Sequence, residues 1–246
     1  MNAKLIFGII FPILIIIVML GLTLAKIIPQ EKIIIEPIKD YSLLLDLPLN
    51  ESSINAEVKD FSVYNHIGKV YNATFFPNTS KNNGASYYFD GKSYLVVEKA
   101  SLDPYLKITI SAWIKMTNES KHPMIVAKGI NQGYILWQND DEGIRRVGLR
   151  IGSAASINTV TSKSDIQLNQ WYHVLGTYDG NILSLYLDGE LENTKIRPGS
   201  INYVTEKVGI GASSYGQNPF IGFIENVKIY SSALNASEVK KVYNAH

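Results

Sequence analysis

The feature that most constrains this chain is an uncharged apolar run near its amino terminus, from Leu5 to Ala25. As a helix this run would be about 31 Å long, which matches a bilayer hydrocarbon core of about 30 Å. The run therefore predicts that residues 1–25 form a transmembrane helix or signal-anchor. A cleaved secretory signal is the alternative, because Thr23-Leu24-Ala25 offers a small-x-small cleavage site, although the apolar core of a signal is usually shorter.

The charges beside this run hardly decide its orientation. Lys4 precedes the run and Lys26 follows it, so the positive-inside rule is nearly balanced. Five N-x-[ST] triplets favour an outward-facing location, because such triplets accept glycans in exported proteins. Their asparagines are Asn50, Asn72, Asn78, Asn118 and Asn235. The sequence thus predicts a single-pass membrane protein with an extracytoplasmic carboxyl-terminal domain, or a secreted protein if the run is cleaved.

The part of the chain after the apolar run divides into a stalk and one domain. Pro29 and Pro37 interrupt any helix continuing from the membrane, so residues 26–40 are predicted to be an extended stalk. Residues 41–246 are long enough to bury a substantial core. With no cysteine in the chain, that core must stabilise the domain without disulfides. The formal charge of +1, with acids and bases interspersed, argues against a nucleic-acid partner.

Short apolar and aromatic runs separated by turn signals fill residues 41–246. Many alternate with period two, as from Ile108 to Ile114, which is typical of half-buried β-strands. Three Asp-Gly pairs predict hairpin turns, because glycine readily adopts a positive φ. These pairs are Asp90-Gly91, Asp179-Gly180 and Asp188-Gly189. One helix is predicted near the end, capped by Asn235 or Ser237. The pattern indicates an all-β, two-sheet antiparallel sandwich or barrel.

The order of these runs resembles the laminin-G-like branch of the concanavalin A-like lectin/glucanase superfamily, from about Leu44 to Tyr243. The matching segments include Tyr88 to Tyr94, Ile108 to Lys115, Asn169 to Val174, Leu185 to Gly189 and Phe220 to Tyr230. The resemblance implies a jelly-roll sandwich of two curved antiparallel sheets. It also implies carbohydrate or protein partners, often with a structural calcium ion, whereas the site itself must be argued from residues.

Catalytic residues are one possibility, because glucanases share this architecture. Retaining glycosidases need two carboxylates about 5–5.5 Å apart, and the spacing Glu-x-Asp-x-x-Glu that would supply them does not occur in this sequence. The cluster Asp140-Asp141-Glu142 is interpreted as a solvated hairpin tip. His173 lies within a strand pattern and is interpreted as structural, and there is no cysteine nucleophile. The chain is predicted not to be an enzyme.

A calcium site is implied by the resemblance. The stretch containing Asp60, Ser62 and Asn65 resembles the family's Asp-x-Ser loop, whose calcium is often completed by an acid on the penultimate strand, here Glu225. Carboxylate, hydroxyl and amide oxygens are the ligands that calcium prefers. However, Val63 stands where relatives carry glycine. The alternative is therefore a loop closed by hydrogen bonds to Asp60 without an ion.

Carbohydrate recognition needs exposed aromatic rings beside polar groups. Trp113 and Trp171 lie in strand patterns and are predicted to be core residues, whereas Trp137 is predicted to be more exposed. The loop that follows the last Gly-Ile-Gly segment is rich in polar residues, and rim loops often carry binding sites. The predicted ligand-binding residues are Trp137, Tyr215, Gln217 and Asn218.

Together these features predict a membrane-anchored, outward-facing, lectin-like module that recognises glycans or glycosylated partners in adhesion. The alternative is a non-catalytic structural surface or virion component that packs against itself or other proteins. A degraded glucanase is a third hypothesis. An exposed apolar patch of several hundred Å² would favour assembly, whereas a groove with polar rims would favour glycan binding.

Overall fold

The computed structural model describes residues 40, 42–53, 55–98, 102–130, 132–141, 143–152 and 158–245. Sixteen strands and one helix form within these ranges. The strands are β1 (Leu43–Leu47), β2 (Glu57–Lys59), β3 (Ile67–Tyr71), β4 (Thr74–Phe76), β5 (Ser86–Asp90), β6 (Tyr94–Val97), β7 (Ile108–Met116), β8 (Met124–Lys128), β9 (Tyr134–Asp141), β10 (Ile144–Ile151), β11 (Thr159–Thr161), β12 (Tyr172–Tyr178), β13 (Ile182–Leu187), β14 (Glu190–Ile196), β15 (Val208–Ile210) and β16 (Ile221–Tyr230). The helix is α1 (Ala236–Asn244).

The strands are arranged in two antiparallel sheets. Sheet A has the order β14-β13-β12-β7-β16-β5-β4, and β1 also pairs with β16. Sheet B has the order β11-β10-β9-β8-β15-β6-β3-β2. The predicted all-β, two-sheet antiparallel sandwich is confirmed.

The main core lies between the two sheets, and period-two alternation decides which side chains reach it. Along β7, Ile110 and Ile114 are fully buried in this core, whereas Trp113 lies on the opposite, outer face of sheet A. Leu136 and Leu149 reach the same core from sheet B. Complete burial of such a side chain contributes about 1.5–3 kcal/mol, so the domain can be stable without disulfides.

Strand β16 organises sheet A because it pairs with three strands. β7 lies along one edge, while β5 pairs with its first half and β1 with its second half. The register with β7 shifts between Glu225 and Lys228. Asn226, at this shift, has a φ of 49° and donates its N–H to the Pro48 carbonyl oxygen at 2.9 Å. Because of this bulge, β16 pairs with β5 before the shift and with β1 after it, along the same edge.

Helix α1 covers part of the outer face of sheet A. Asn235 caps it, because its side-chain oxygen accepts from the N–H groups of Ser237 and Glu238, and Glu238 accepts from the Asn235 N–H in return. Of the two predicted caps, Asn235 is therefore the one used. Tyr243, near the end of the helix, stacks on Trp113 with ring centroids 5.5 Å apart.

Some sequence predictions of the fold were wrong. Asp179-Gly180 and Asp188-Gly189 do join hairpins, but Asp90-Gly91 does not, because β5 belongs to sheet A and β6 to sheet B. A two-residue turn signal cannot tell whether the chain returns along the same sheet or crosses to the other one. Five strands had not been predicted, since they are short or polar. They are β2, β3, β4, β11 and β14.

The predicted transmembrane helix and most of the predicted stalk lie outside the described residues. Backbone contacts divide the chain into Met1–Ile38 and Lys39–His246, and the sandwich belongs to the second unit. Within the described ranges, no helix has the length and apolar character needed to cross a bilayer.

Candidate functional site

A depression of about 160 Å³ lies on the outer face of sheet B, and we call it the Trp137 depression. Its lining comes from β8, β9, β10 and three loops. Leu136 points into the main core, so its neighbours Ile135 and Trp137 point outward and form a separate apolar cluster with Met124. The residues that line the depression are His122, Met124, Ile130, Ile135, Trp137, Arg150 and Asn218.

The position of the Trp137 indole depends on the residue across the strand pair. Trp137 pairs with Gly148 on β10, and a Cβ atom at Gly148 would lie 2.8 Å from the indole Nε1. The absence of that Cβ leaves room for the ring. The Arg150 guanidinium lies over the ring, 4.9 Å from its centroid, as a cation–π contact. Burial lowers the pKa of Arg150, although an arginine remains charged at neutral pH.

Two buried polar atoms at this depression have no hydrogen-bond partner among the described residues. They are Trp137 Nε1 and His122 Nδ1, and the two rings lie 5.7 Å apart. A buried polar group without a partner costs about 1–3 kcal/mol, so such groups usually meet water or a ligand. An indole N–H and an imidazole nitrogen beside a guanidinium are suited to bind hydroxyl groups.

Two rim loops meet at Asn218. Its Nδ2 donates to the His122 carbonyl oxygen at 3.4 Å, and its own carbonyl oxygen accepts from the Met124 N–H at 2.9 Å. Ser213 shapes the same loop, since its hydroxyl oxygen accepts from the N–H groups of Tyr215 and Gln217. The fold therefore brings Trp137 and Asn218 together. Tyr215 and Gln217 are exposed on the adjacent part of the loop and do not line the depression.

The tryptophans differ from the sequence expectation. Trp137 is only 8% exposed, so the prediction that it would be the exposed tryptophan was wrong. Trp171, predicted to be a core residue, is half-buried at the surface, whereas Trp113 is buried as predicted. The reason is tertiary, because Arg150 covers Trp137, whereas Trp171 packs beside Phe223 on the outer face of sheet A.

A second aromatic feature lies on the outer face of sheet A. Phe76, Tyr88, Trp171 and Phe223 form what we call the sheet A aromatic surface, with ring centroids 5.0–6.4 Å apart. The Lys115 ammonium lies 4.5 Å from the Phe223 centroid and 5.2 Å from that of Trp171. Sequence reasoning missed this feature, because its members come from strands that are far apart in the chain.

The Asp60 loop is closed by hydrogen bonds. Asp60 is fully buried, and its Oδ1 accepts from the N–H groups of Asp46 and Ser62 at 2.9 and 2.8 Å. Its Oδ2 accepts from the Ser62 hydroxyl at 2.7 Å and from the His66 N–H at 2.9 Å. A carboxylate offers about four acceptor sites, so these four donors leave none for a metal ion.

The remaining predicted calcium ligands do not complete a site in this arrangement. Asn65 is exposed in the same loop, with a φ of 48°. Glu225 accepts from the Lys81 N–H at 3.0 Å and lines a different depression from the one beside Asp60. Among the described residues there is also no group of three or more acids and histidines that could hold a metal ion. The residues do not fit calcium here, and the calcium prediction stays a prediction to be measured.

A larger cavity, of about 440 Å³, lies beside the Asp60 loop. Asn50, Phe61 and His66 are among its lining residues, and burial lowers the pKa of His66. Unlike the Trp137 depression, this cavity has no buried, unpartnered side-chain polar atom among its described lining residues. We therefore regard the Trp137 depression as the better candidate site.

The remaining candidate residues are five asparagines, one histidine and an acidic cluster. The five predicted glycosylation sites, Asn50, Asn72, Asn78, Asn118 and Asn235, all have exposed side chains. His173 is buried between Trp113 and Tyr243, with centroid distances of 5.2 and 5.8 Å. The side chains of Asp140-Asp141-Glu142 lie outside the described part of the chain.

Comparison with known proteins places this geometry in a family. The model of the concanavalin A-like lectin/glucanases superfamily that is called Laminin_G_3 matches residues 79–240. Adhesion G-protein coupled receptor V1 of Danio rerio is 25% identical over 219 residues, which is 85% of this chain and 3% of the receptor. The chain thus spans a small fraction of that relative.

Solved structures of other domains are similar to this sandwich in fold. Domain 4 of AbnA, a GH43 extracellular arabinanase from Geobacillus stearothermophilus, in complex with arabinotriose, has a TM-score of 0.65 at 16% identity, covering 82% of this chain and 98% of that one. The binding domain of botulinum neurotoxin DC in complex with SialylT has a TM-score of 0.61 at 16% identity, covering 83% and 51%. With the family model matching well over half of its length, the chain belongs to the concanavalin A-like lectin/glucanase superfamily, as its sequence had suggested.

Proposed function

We propose that this protein is a carbohydrate-binding module, held at an outward-facing membrane surface, and that the Trp137 depression is its glycan site. The observation that carries the proposal is the pair of buried, unpartnered ring nitrogens of Trp137 and His122 beside the Arg150 guanidinium. Sugar hydroxyls would form hydrogen bonds with both nitrogens. The apolar side chains of Met124 and Ile135 would contact the C–H face of the sugar ring. The complexes of structurally similar domains with arabinotriose and SialylT support the same class of ligand.

Glycan binding can be tested with an array that includes arabino-oligosaccharides and sialylated oligosaccharides, followed by calorimetry on the best ligand. We expect Arg150→Gln and Trp137→Phe each to weaken binding by about tenfold, because each removes a donor that faces the ligand. Arg146→Gln is the matched control, since Arg146 lies on the same face of β10 but pairs with the exposed Asp165. Unchanged affinity in both test variants would show that the site lies elsewhere.

Membrane anchoring by Leu5 to Ala25 belongs to the same proposal, and the length of that apolar run supports it. The expected mature protein retains this segment and faces outward. Intact-mass measurement of the membrane-extracted protein tests it, because a mature amino terminus at Lys26 would instead indicate a secreted protein. We also propose binding without catalysis, since the sequence lacks a glucanase-like pair of carboxylates.

The second candidate function is that of a structural surface component, and the sheet A aromatic surface favours it. Phe76 is 39% exposed and packs against other rings at the surface, as a self-association patch would. Light scattering of the purified protein across a wide concentration range distinguishes the two. A stable oligomer that Phe76→Ser dissociates would favour the structural role over the glycan-binding one.

A further inference from the structure

A single turn connects a predicted glycosylation site to the sheet A aromatic surface. Phe76 ends β4, and Pro77 and Asn78 form the centre of the turn that follows. Asn78 has a φ of 57°, and the Thr79 hydroxyl donates to the Phe76 carbonyl oxygen at 2.8 Å. Proline at the second position and a positive φ at the third are typical of a type II turn. The turn therefore places Phe76 and Asn78 two residues apart, at the end of β4.

Neighbouring rings hold Phe76 in place. It packs edge-to-face against Tyr88 and Phe223, with centroid distances of 6.0 and 5.8 Å and interplanar angles of 83° and 76°. Such contacts fix the orientation of a ring. Phe76 nevertheless remains 39% exposed, so part of this held aromatic ring faces solvent, and Asn78 two residues later is exposed as well. Apolar surface of this kind is stabilised by an apolar cover.

Three of the other glycosylation triplets have no such neighbour. Two residues before the asparagine, these triplets carry no aromatic ring: Pro48 precedes Asn50, Met116 precedes Asn118 and Ala233 precedes Asn235. Met116 is also buried. Asn72 follows Tyr71, but the Tyr71 ring is stacked on Tyr94 at 4.7 Å with a 9° interplanar angle. Asn78 is thus the site at which an exposed ring lies two residues before the asparagine.

We propose that Asn78 carries an N-linked glycan whose first sugar packs its C–H face on Phe76. The sugar covers the exposed part of the Phe76 ring and stiffens the turn that follows β4. This inference rests on the outward-facing location in the proposed function, because an export pathway must supply the glycan. It assigns this aromatic ring to the protein's own glycan and leaves the Trp137 depression for an external one.

The transfer reaction needs a lipid-linked sugar donor. A bond forms between Asn78 Nδ2 and the anomeric carbon of the sugar, the bond from that carbon to the polyprenyl diphosphate breaks, and the amide proton leaves with the released diphosphate. In the folded chain, the hydroxyl oxygen of Ser80 accepts from the N–H groups of Asn82 and Gly84. We therefore place the transfer before this loop closes, while the Ser80 hydroxyl is still accessible.

The test combines two hosts with two side chains. The full chain is produced in a glycosylating secretory host and in a bacterial cytoplasm that lacks the transferase, as wild type and as Phe76→Leu. We expect glycosylation to raise the melting temperature of the wild type by about 2–4 °C more than that of Phe76→Leu, the size of one aromatic contact in a domain of this length. The other four glycosylation sites are identical in both sequences, so their effects cancel. Phe76→Tyr should restore the difference.

Glycopeptide mass spectrometry of the same samples separates the possible failures. Occupied Asn118 and Asn235 with an empty Asn78 would overturn this inference and leave the outward-facing location standing. Five empty sites in the glycosylating host would overturn both. Equal gains in melting temperature for wild type and Phe76→Leu would show that the Asn78 glycan does not pack on Phe76.

Discussion

At the scale of single residues, Asp60 shows how a motif that resembles a calcium site can close a loop by hydrogen bonds. The same Asp-x-Ser loop that resembles a calcium site is closed here by four hydrogen bonds to one buried carboxylate. Val63 occupies the position at which the resemblance implies a glycine. The motif was visible in the sequence, but one of the donors to the carboxylate is the Asp46 N–H, which comes from β1 and not from the loop itself.

Asp60→Ala is expected to lower the free energy of unfolding by about 3 kcal/mol, because buried donors lose a charged acceptor. Urea denaturation measures the change. Asp165→Ala is the control, and we expect less than about 0.5 kcal/mol there, because Asp165 is part of an exposed ion pair. We expect the same melting temperature in chelator and in millimolar calcium. A calcium-dependent rise that Asp60→Ala abolishes would restore the metal site.

At the scale of elements, β16 depends on a close approach between backbones. A Cβ atom at Gly222 would lie 2.2 Å from the Lys115 carbonyl oxygen on the neighbouring strand, and Gly222 has a φ of 145°. Neither the clash nor the φ can be relieved by a side-chain rotation. Glycine is thus required at this point of β16, and its role becomes visible only when the partner strand is known.

Gly222→Ala is expected to destabilise the domain by about 3 kcal/mol or more, since backbone would have to move. Gly143→Ala is the matched control. Gly143 also has a positive φ, of 83°, but its added Cβ would meet no described atom within 4 Å, so we expect about 1 kcal/mol there. Thermal unfolding of both variants provides the comparison. Equal losses would contradict the assigned role of the β16–β7 contact.

The cap of α1 gives a second test at this scale. Asn235→Ala is expected to cost about 1 kcal/mol, because the N–H groups of Ser237 and Glu238 lose their acceptor. Ser237→Ala removes the same glycosylation triplet but keeps those two bonds, so it should cost less. Chemical denaturation followed by tryptophan fluorescence suits the test, because Tyr243 on α1 stacks on Trp113. An equal loss for Ser237→Ala would point to a glycan effect instead of a capping effect, because both variants lack the glycosylation triplet.

At the scale of the whole molecule, the buried residues of the main core that the structure describes run from Leu45 to Ile229. We therefore expect a fragment of residues 40–246 to fold without the apolar amino-terminal run. Far-ultraviolet circular dichroism should show a β-rich spectrum with little helix, because α1 has nine residues. A cooperative thermal transition should accompany it. A fragment that is unfolded, or dominated by helix, would contradict this prediction.

The sequence by itself determined the features that depend on neighbouring residues. Period-two alternation marked long strands such as β7 and β12, and glycine at positive φ marked the turns at Gly180 and Gly189. A cap at Asn235 or Ser237 and the order of runs that resembles the family could also be inferred from the sequence. These features rest on local sterics and on burial of one face, which a short segment encodes.

Only the tertiary structure decided which distant residues meet. It assigned β5 and β6 to different sheets, placed Arg150 over Trp137, brought Asn218 beside it and filled the Asp60 carboxylate with donors. The exposure of Trp137 was misjudged for the same reason, since the covering side chain comes from the next strand. Pairing and packing are set by the competition of many long-range contacts for one compact core, and no local pattern contains that information.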